Sequence, residues 1–256
     1  MSRAVTWDGF HNTRDLGGLP TRAGRTTRRG AFFRAADLRF VTDAGWAQAR
    51  ESGVRTVIDL RNADEIRPTA DSPTALAGSA RFAAAAGVAT PAGIERVEVP
   101  LDDIDDVEFW RHVNRERLNG TPLYYRLFLD RKAERCAAVM AAIARSAPGG
   151  VLFHCGAGRD RTGLVALLLL ALAGVGPDAI AADYALSAEP VKALFAEMGT
   201  EDQGPAIAAV LAERNTTTAA VIRDTLEGFD AERYLLEAGV HSGDLEDIRR
   251  RLTNPD

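Results

Sequence analysis

Cysteine is almost absent from this 256-residue chain, which contains Cys136 and Cys155 alone. Two cysteines cannot form the disulfide framework of a small secreted scaffold or a zinc site made of several cysteine ligands. The composition, 46% hydrophobic and 26% charged, is that of an ordinary globular protein. We therefore expect a protein of a reducing compartment whose fold depends on a packed core.

Lysine is also scarce, since Lys132 and Lys192 are the only two among 31 basic side chains. The 36 acidic side chains outnumber the basic ones, and the formal net charge is −5. Such a balance argues against nucleic-acid binding through bulk positive charge. Any anion-binding site must therefore be local, and we expect no nucleic-acid partner.

Long apolar runs are missing. The longest, LVALLLLALAGVG over residues 164–176, is shorter than the roughly 20 residues that span a bilayer, and it predicts a buried helix. Residues 1–10 lack the apolar segment of a secretory signal. These patterns predict a cytoplasmic protein without a transmembrane segment, and they leave export by another route open.

Short β-rich runs alternate with helical patterns in the first 160 residues. The predicted strands cover residues 31–34, 55–60, 97–101 and 151–154. A helix is predicted over 42–52, with Thr42 as its N-cap, and another from Tyr124 to the stop at Pro148. Residues 68–93 show no periodicity and predict a loop with a helical turn. Alternating strands and helices are typical of an α/β fold with a central, mainly parallel sheet flanked by helices, here one domain over 1–256.

Beyond Pro177 the pattern is helical, without a strand signal. The predicted helices cover residues 178–187, 190–198, 204–213, 216–227, 230–238 and 242–252. Six helices after the last strand cannot all pack on one small sheet. We therefore expect residues 188–228 to form a helical cap, with 191–198 and 206–212 covering the site; the alternative is that these helices pad the edge of the sheet.

The segment HCGAGRDRTG, from His154 to Gly163, follows a predicted strand and precedes the apolar helix. A strand, a glycine-containing turn and a helix N-terminus together direct backbone N–H groups at an anion. Cys155 and Arg161, separated by five residues, could then act on the same anion. The phosphate-binding residues would be Gly156, Ala157, Gly158, Arg159, Asp160 and Arg161.

Residue types in this loop suit phosphoryl transfer, which depends on positioning and electrostatics. A thiolate at Cys155 would attack phosphorus, and the planar guanidinium of Arg161 matches two phosphoryl oxygens. Thr162 could donate its hydroxyl to the sulfur of Cys155 and ease its departure. A dinucleotide fingerprint would require glycine where Arg161 stands, and no nucleotide P-loop lysine follows. A buried structural cysteine would have apolar neighbours instead of charged ones.

HCGAGRDRTG resembles the signature of the cysteine-dependent protein tyrosine phosphatase superfamily, specifically its bacterial tyrosine/dual-specificity branch. The NTRDLGG segment over residues 12–18 resembles the N-terminal motif of that branch, and VIDLR over 57–61, with Glu65 following, resembles its second motif. The three motifs occur in the family's order, and the similarity runs from about residue 8 to 187. The resemblance implies a protein tyrosine phosphatase-like α/β fold.

The resemblance further implies that Cys155 is the nucleophile, that Arg161 clamps the phosphate and that a phosphocysteine intermediate forms without a metal or other cofactor. Expected substrates are phosphorylated proteins or phosphoinositides, with inorganic phosphate as product. At position 159 the branch usually carries lysine, and Arg159 weakens the expectation of phosphoinositide hydrolysis. The physiological substrate and the oligomeric state do not follow from the sequence.

A general acid must protonate the leaving group, yet the tryptophan-proline-aspartate loop of many relatives is missing. Asp160 is the leading candidate because the chain itself holds it at the phosphate site. Asp59, Asp102 and Asp103 are alternatives that the fold would have to bring near. Asp160 could instead orient Arg159 or Arg161 through a salt bridge.

Other polar side chains near these motifs have structural interpretations. His154 is expected to fix the loop by hydrogen bonding, and Asn12, Arg14 and Asp15 to form a network that fixes a turn. Cys136 is interpreted as a buried structural thiol, with a redox partnership to Cys155 as the alternative.

Two functions from other classes compete with the phosphatase. A module that keeps the loop would bind phosphate without useful turnover, and a sulfurtransferase also uses a cysteine in an anion-binding loop. Retention of Cys155, Arg161 and Thr162 argues against the first. The paired arginines of the loop and Thr162 disfavour the second.

Overall fold

A computed structural model describes residues 3–67 and 89–253, and within these residues a five-stranded sheet forms the centre of the molecule. The strands are Arg14–Asp15 (β1), Phe32–Ala35 (β2), Val54–Asp59 (β3), Glu95–Glu98 (β4) and Gly150–His154 (β5). Their order is β1-β2-β5-β3-β4, and β1 pairs antiparallel with β2 while the remaining neighbours are parallel. The predicted α/β class with a mainly parallel sheet is confirmed.

The helices lie on both sides of β5 in the sequence. Those before it are Asp43–Glu51 (α1), Ala63–Ile66 (α2), Val107–Arg115 (α3), Tyr125–Arg131 (α4) and Ala133–Arg145 (α5), with a 3₁₀ turn at Pro122–Tyr124. Those after it are Asp160–Leu172 (α6), Pro177–Ala185 (α7), Ala188–Glu197 (α8), Gly204–Glu213 (α9), Thr218–Leu226 (α10), Ala231–Glu237 (α11) and Ser242–Leu252 (α12). All six helices predicted beyond Pro177 are confirmed.

Several elements differ from the sequence predictions. The strand predicted over 97–101 lies at Glu95–Glu98, and β1 and α3 were not predicted. The single helix predicted from Tyr124 is two helices, because the backbone leaves the helical region at Lys132. Of the predicted loop over 68–93, residues 68–88 lie outside the described residues, and 89–93 form no helix or strand.

The central position of β5 follows from its side chains, which are buried on both faces of the sheet. Val151 and Phe153 belong to the larger core, whereas Leu152 belongs to a second core on the opposite face. The apolar helix α6 is buried almost all round and packs in the larger core, as its sequence predicts. Within the described residues no helix is both long and apolar enough to cross a membrane.

The connection from β5 to α6 determines where the candidate site lies. Cys155 follows directly after the central strand, and α6 begins at Asp160. Ligands of open parallel sheets bind at the carboxyl ends of the strands, where such turns meet helix N-termini. A third, small core packs α8 beside this turn, with Val191, Leu194 and Phe195 against Ala36.

Candidate active site

Cys155 lies at the bottom of a cleft of about 440 Å³, and the residue is 2% exposed. The residues predicted for the loop that line this cleft are Cys155, Gly156, Ala157, Arg159, Asp160 and Arg161. The cysteine and the arginine of the motif therefore line the same cavity. Gly158 and Thr162 are not among the residues that line the cleft.

Gly158 has a backbone conformation that favours glycine, with φ of +66°. A Cβ atom at this position would come within 2.5 Å of the carbonyl oxygen of Ala35. The loop therefore turns tightly against the end of β2, and a side chain at position 158 would push the loop into the cleft.

Two buried side chains hold the back of this turn. The amide of Asn12 donates to the carbonyl oxygens of Ala157 and Gly158 at 3.1 and 3.0 Å. The guanidinium of Arg34, which is 1% exposed, donates to the carbonyl of Gly158 at 2.8 Å. Buried carbonyl groups need such partners, so these contacts fix the loop in one conformation.

Arg34 belongs to an ion-pair network centred on Asp183 of α7. Asp183 accepts hydrogen bonds from Arg34 at 2.7 Å, from Arg14 at 3.0 Å and from Arg3 at 2.7 Å. Burial alone would raise the pKa of Asp183, but the three guanidinium groups outweigh burial and lower it. Burial, together with the charge of Arg34, lowers the pKa of Arg14 to about 10. The network connects β1, β2 and α7 behind the loop.

A second network holds the start of the loop. The backbone N–H of Asp37 donates to the carbonyl of Gly156 at 2.8 Å, and its carboxylate accepts from Arg61 at 2.8 Å. Burial would raise the pKa of Asp37, but its hydrogen bond with Arg39 and the charge of Arg61 lower it. Asp59, fully buried, accepts from Arg61 at 2.8 Å and does not line the cleft. Asp59 is therefore paired within the protein and lies outside the cleft lining.

Arg161 reaches the cleft from the first turn of α6. Its two terminal nitrogens donate to the carboxylate of Glu65 at 2.5 and 2.7 Å, and its Nε lies 3.4 Å from Asp102. Glu65 is held in turn by the backbone N–H of Asn62, which donates at 3.0 Å. Burial would raise the pKa of Glu65, but Arg161 lowers it. The guanidinium plane is therefore fixed from one side.

Asp160 lines the cleft, but its carboxylate is already hydrogen bonded. It accepts from the hydroxyl of Tyr184 at 2.9 Å and from Arg159 at 3.2 Å. Arg159 also donates to the side-chain oxygen of Gln203 at 3.0 Å. The salt bridge considered for Asp160 is thus present with Arg159.

The other two acid candidates have opposite surroundings. Burial raises the pKa of Asp102 to about 6, although Arg161 opposes the shift. Asp103 instead pairs with Lys132 and Arg135, both at 2.9 Å, and the hydrogen bond from Lys132 lowers its pKa. Asp103 is therefore occupied away from the cleft, whereas Asp102 contacts Arg161.

The opposite wall of the cleft comes from helices α8 and α9. Its apolar side chains are Phe195, Ala206, Ile207 and Val210, and Gln203 lies at the start of α9. Asn119, Gly120 and Thr121 complete the rim together with Arg117. An apolar wall facing a charged loop suits a phosphate ester whose organic part is not charged.

The family model described as the tyrosine phosphatase family matches residues 5–254. A tyrosine-protein phosphatase from Nostoc commune is 32% identical over 235 residues, which cover 87% of this chain and 74% of the relative. A triple specificity protein phosphatase from Mycobacterium tuberculosis is 30% identical over 256 residues, which cover 90% of this chain and 85% of the relative. This chain belongs to the tyrosine phosphatase family.

Two residues of the family signature, His154 and Thr162, differ in the contacts of their side chains. His154 lies with its Nδ1 3.2 Å from the carbonyl of Cys155 and its Nε2 3.5 Å from Asp59, as expected for a side chain that fixes the loop. Thr162 is fully buried, but among the described residues its hydroxyl has no hydrogen-bond partner. The expected hydrogen bond from Thr162 to the sulfur of Cys155 is therefore not formed here.

The N-terminal motif forms the turn-fixing network that its sequence predicts. Asn12 binds the loop, Arg14 binds Asp183, and Asp15 accepts from the backbone N–H of Gly17 at 2.8 Å. Cys136 is fully buried in the larger core, and burial raises its pKa to about 12. Its surroundings therefore fit a structural thiol.

Sequence reasoning missed several residues of the site. Arg34 and Asp183 were not identified, although an arginine inside the apolar strand FFRA and an aspartate inside the helix PDAIAADYA are signals of a buried pair. Phe195 was included only as part of a predicted helix, and Gln203 only as part of the predicted cap over 188–228. Their positions in the cleft wall depend on how α8 and α9 pack, which no local pattern specifies.

Proposed function

We propose that this chain hydrolyses phosphotyrosine in proteins through a phosphocysteine intermediate on Cys155. The observation that carries the proposal is the placement of Cys155 and Arg161 in one cleft, at the carboxyl end of the central strand and beside the N-terminus of α6. The helix dipole and the guanidinium group both favour negative charge at this point. A phosphate dianion and a cysteine thiolate are the charges that the proposed reaction brings together.

In the first step the sulfur of Cys155 attacks phosphorus. The S–P bond forms, the P–O bond to the tyrosine ring breaks, and the leaving oxygen takes a proton from a general acid. Arg161 would donate to the equatorial oxygens through N–H groups that its bonds with Glu65 leave free, and its positive charge would balance their negative charge. Glu65 supports this role because it holds the guanidinium plane from the side.

In the second step water attacks phosphorus, the S–P bond breaks, and inorganic phosphate leaves. The carboxylate that gave up its proton in the first step now acts as a base and takes a proton from the attacking water. We propose that Thr162 assists this step by donating its hydroxyl to the sulfur of Cys155. Its buried hydroxyl is next to Arg161 in sequence and has no competing partner among the described residues, so it is available to the departing sulfur.

Two carboxyl groups compete for the role of acid. Asp160 remains our first proposal because it lines the cleft that contains Cys155. Asp102 is the alternative because its pKa is raised to about 6, so it keeps a proton closer to neutral pH than an ordinary aspartate does. With phenyl phosphate as substrate, Asp160→Asn and Asp102→Asn separate the two. In the native chain kcat should fall at high pH as the general acid loses its proton. The variant that lacks the true acid should no longer show this fall, whereas the other variant should still show it.

The substrate range is proposed from the cleft and from Arg159. The relative from Mycobacterium tuberculosis is named a triple specificity protein phosphatase, which supports tests of phosphoserine, phosphothreonine and phosphoinositide substrates. In this chain Arg159 donates to Asp160 and Gln203, so these donors are engaged within the protein. This supports a preference for phosphoproteins over phosphoinositides, which a panel of both substrate classes measures directly.

Residues 188–228 are proposed to form a cap of the single domain. The support is that α8 and α9 supply one wall of the cleft, through Phe195, Ala206 and Val210 among others. A closed cap would exclude water and protect Cys155 from oxidation, and its opening would admit a protein substrate.

Cys155→Ser tests the covalent mechanism. The variant should lose hydrolysis of an aryl phosphate yet bind inorganic phosphate with a Kd close to that of the native chain, because a serine hydroxyl is not ionised near neutral pH. Normal turnover by this variant would exclude the mechanism. The two competing functions have readouts of their own: binding without aryl phosphate turnover by the native chain indicates a binding module, and turnover of thiosulfate indicates a sulfurtransferase.

A further inference from the structure

A second cavity, of about 590 Å³, adjoins the cleft on the side of α3. The two cavities share Glu65, Asn119, Asp160 and Arg161 in their walls. Whatever lies in the second cavity is therefore next to a phosphate held by Arg161. We call this second cavity the side groove; its other lining residues include Asp64, Asp102, Ile104, Val107, Trp110 and Arg111.

One wall of the side groove is apolar and open to solvent. Ile104 is 49% exposed and Val107 is 57% exposed, and both are among the few large apolar side chains of the described residues that are so exposed. Trp110 lies beside them, and its indole N–H donates to the carbonyl of Asp103 at 2.8 Å. That bond fixes the indole ring in the groove wall. Ile104 and Val107 therefore give the groove an exposed apolar edge on which the methylene groups of a ligand can pack.

The remaining wall is acidic. Four carboxylates, those of Asp64, Glu65, Asp102 and Asp160, line the groove against the guanidinium groups of Arg111 and Arg161. Arg161 already contacts two of these carboxylates, and a bound phosphate would add negative charge beside them. Because Arg159 already pairs with Asp160, three carboxylates remain for the two lining guanidinium groups, and a ligand can balance this excess of one negative charge.

We infer that the side groove binds a lysine or arginine side chain of the phosphoprotein substrate, close in sequence to the phosphotyrosine. This inference rests on the proposed function. The long methylene stem of such a residue would pack on Ile104 and Val107, and its cationic end would lie over Trp110 and near Asp64. The groove is in this way a specificity subsite for basic substrates.

Other flanking residues fit the groove less well. An aspartate or glutamate would bring negative charge against Asp64 and Asp102. The lining cation that has no carboxylate partner among the described residues is Arg111, which is exposed at the rim. A purely apolar residue would cover Val107 but leave the negative charge of the groove unbalanced. A residue that combines an apolar stem with a cation satisfies both walls.

The test uses phosphotyrosine peptides that differ at one position. In a neutral alanine-rich scaffold, arginine, norleucine or glutamate is placed in turn at each of the three positions before and after the phosphotyrosine. We expect that at one or more positions kcat/KM is about fivefold higher with arginine than with norleucine, and lower again with glutamate. This order should weaken at high salt. Equal values for the three residues at all positions, or a preference for glutamate, overturn the inference.

Two variants locate the preference in the groove. Asp64→Lys should reduce the ratio of the arginine to the glutamate peptide to about one, whereas Asp43→Lys, in the first turn of α1, should leave this ratio as it is in the native chain. Val107→Ser should lower the ratio of the norleucine to the alanine peptide, and Leu236→Ser, at another exposed apolar position, should not. Equal effects of each variant and its control contradict a subsite here.

Binding separates this inference from the proposed function. The Kd of the same peptides for the Cys155→Ser variant, measured by fluorescence anisotropy, needs no turnover. If the native chain hydrolyses neither aryl phosphate nor any peptide, the proposed function fails, and the order of Kd values still decides the inference. If the native chain hydrolyses all peptides alike and the Kd values are also alike, the inference fails and the proposed function stands.

Discussion

The two walls of the cleft are held in different ways. Behind the phosphate loop, Asn12 and Arg34 bind its carbonyl groups, and Arg34 is anchored by the buried carboxylate of Asp183. On the opposite side, the wall of α8 and α9 is apolar, and its polar contact with the loop among the described residues is the hydrogen bond between Gln203 and Arg159. One wall is a network of ion pairs, and the other rests on packing.

This difference separates two requirements of the proposed chemistry. A site that stabilises a charged transition state works best when its donors are already in place, which the network behind the loop provides. Entry of a protein substrate instead needs a wall that can move at low cost, and an apolar helical wall with few polar contacts meets that need. Four substitutions, taken from the largest expected effect to the smallest, test the comparison.

Arg161→Lys affects the reacting phosphate itself and should have the largest effect on activity. Lysine keeps the charge, but its ammonium group has no planar fork that can donate two parallel hydrogen bonds to one phosphoryl group and be held in orientation by Glu65. We expect kcat for an aryl phosphate to fall by roughly 10²-fold or more. Arg67→Lys is the matched control, because Arg67 makes a similar bidentate pair with Glu98 on the surface. An unchanged kcat for Arg161→Lys means that the phosphate is held elsewhere.

Asp183→Ala removes the centre of the network behind the loop. It leaves three arginines without their carboxylate, and loss of one partner in a buried pair lowers the free energy of unfolding by about 3 to 5 kcal/mol. Because the pKa of Asp183 is lowered, its stabilisation is present above the pKa of an unfolded aspartate, near 4, and is lost as the pH falls below it. Denaturant titrations at several pH values measure both effects.

Asp178→Ala is the control for this prediction. Asp178 lies on the same helix, α7, but its salt bridge with Arg223 is exposed. Exposed pairs contribute about 0 to 1 kcal/mol, so the control should change stability little. Similar losses for the two variants would show that the buried network is no stronger than a surface pair.

Most of the framework and the loop chemistry could be predicted from the sequence, because both depend on local patterns. The run VLFH, the glycine-containing turn and the apolar helix specify β5, the loop and α6, and they place Cys155 and Arg161 at the same end of the sheet. The predicted helices beyond Pro177 follow in the same way from periodicity and breaking residues. These features need only short stretches of chain to agree with each other.

What the sequence could not predict depends on distant residues. Asp183 meets Arg34 across 149 positions, and Gln203 meets Arg159 across 44, so neither pair leaves a local signal. The acid candidates show the same limit. Asp59 and Asp102 both lie at the ends of β-rich runs, yet buried ion pairs occupy Asp59, whereas at Asp102 the effect of burial outweighs the charge of Arg161. Burial and partners, which come from the fold, separate them.

Asp102→Asn tests the carboxylate that contrasts most with Asp183. The pKa of Asp102 is raised to about 6, so the folded chain binds its proton more tightly than the unfolded chain, and stability falls as the pH rises from about 4 to about 6. Asparagine removes this loss. The variant should gain about 2 kcal/mol more in unfolding free energy near pH 8 than near pH 4.5.

Asp103→Asn is the control, since the pKa of Asp103 is lowered by its partner Lys132. Its replacement should not stabilise the chain at high pH relative to low pH. If Asp102→Asn shows no greater gain near pH 8 than near pH 4.5, the carboxyl group is solvated or paired more fully than its surroundings indicate.

Gln203→Ala breaks the polar contact between the two walls and should have the smallest effect. The bond joins the start of α9 to a guanidinium that Asp160 also holds, so Arg159 keeps a partner when Gln203 is lost. We expect the free energy of unfolding to change by less than about 1 kcal/mol. If the helical wall is a movable cap, its opening should become easier, and peroxide should inactivate Cys155 about twice as fast.

Gln48→Ala, which removes an acceptor of one backbone hydrogen bond far from the cleft, should leave the inactivation rate unchanged. An equal rate for Gln203→Ala and the native chain would mean that packing alone keeps α8 and α9 over the cysteine, and the two walls would then differ in chemistry but not in freedom to move.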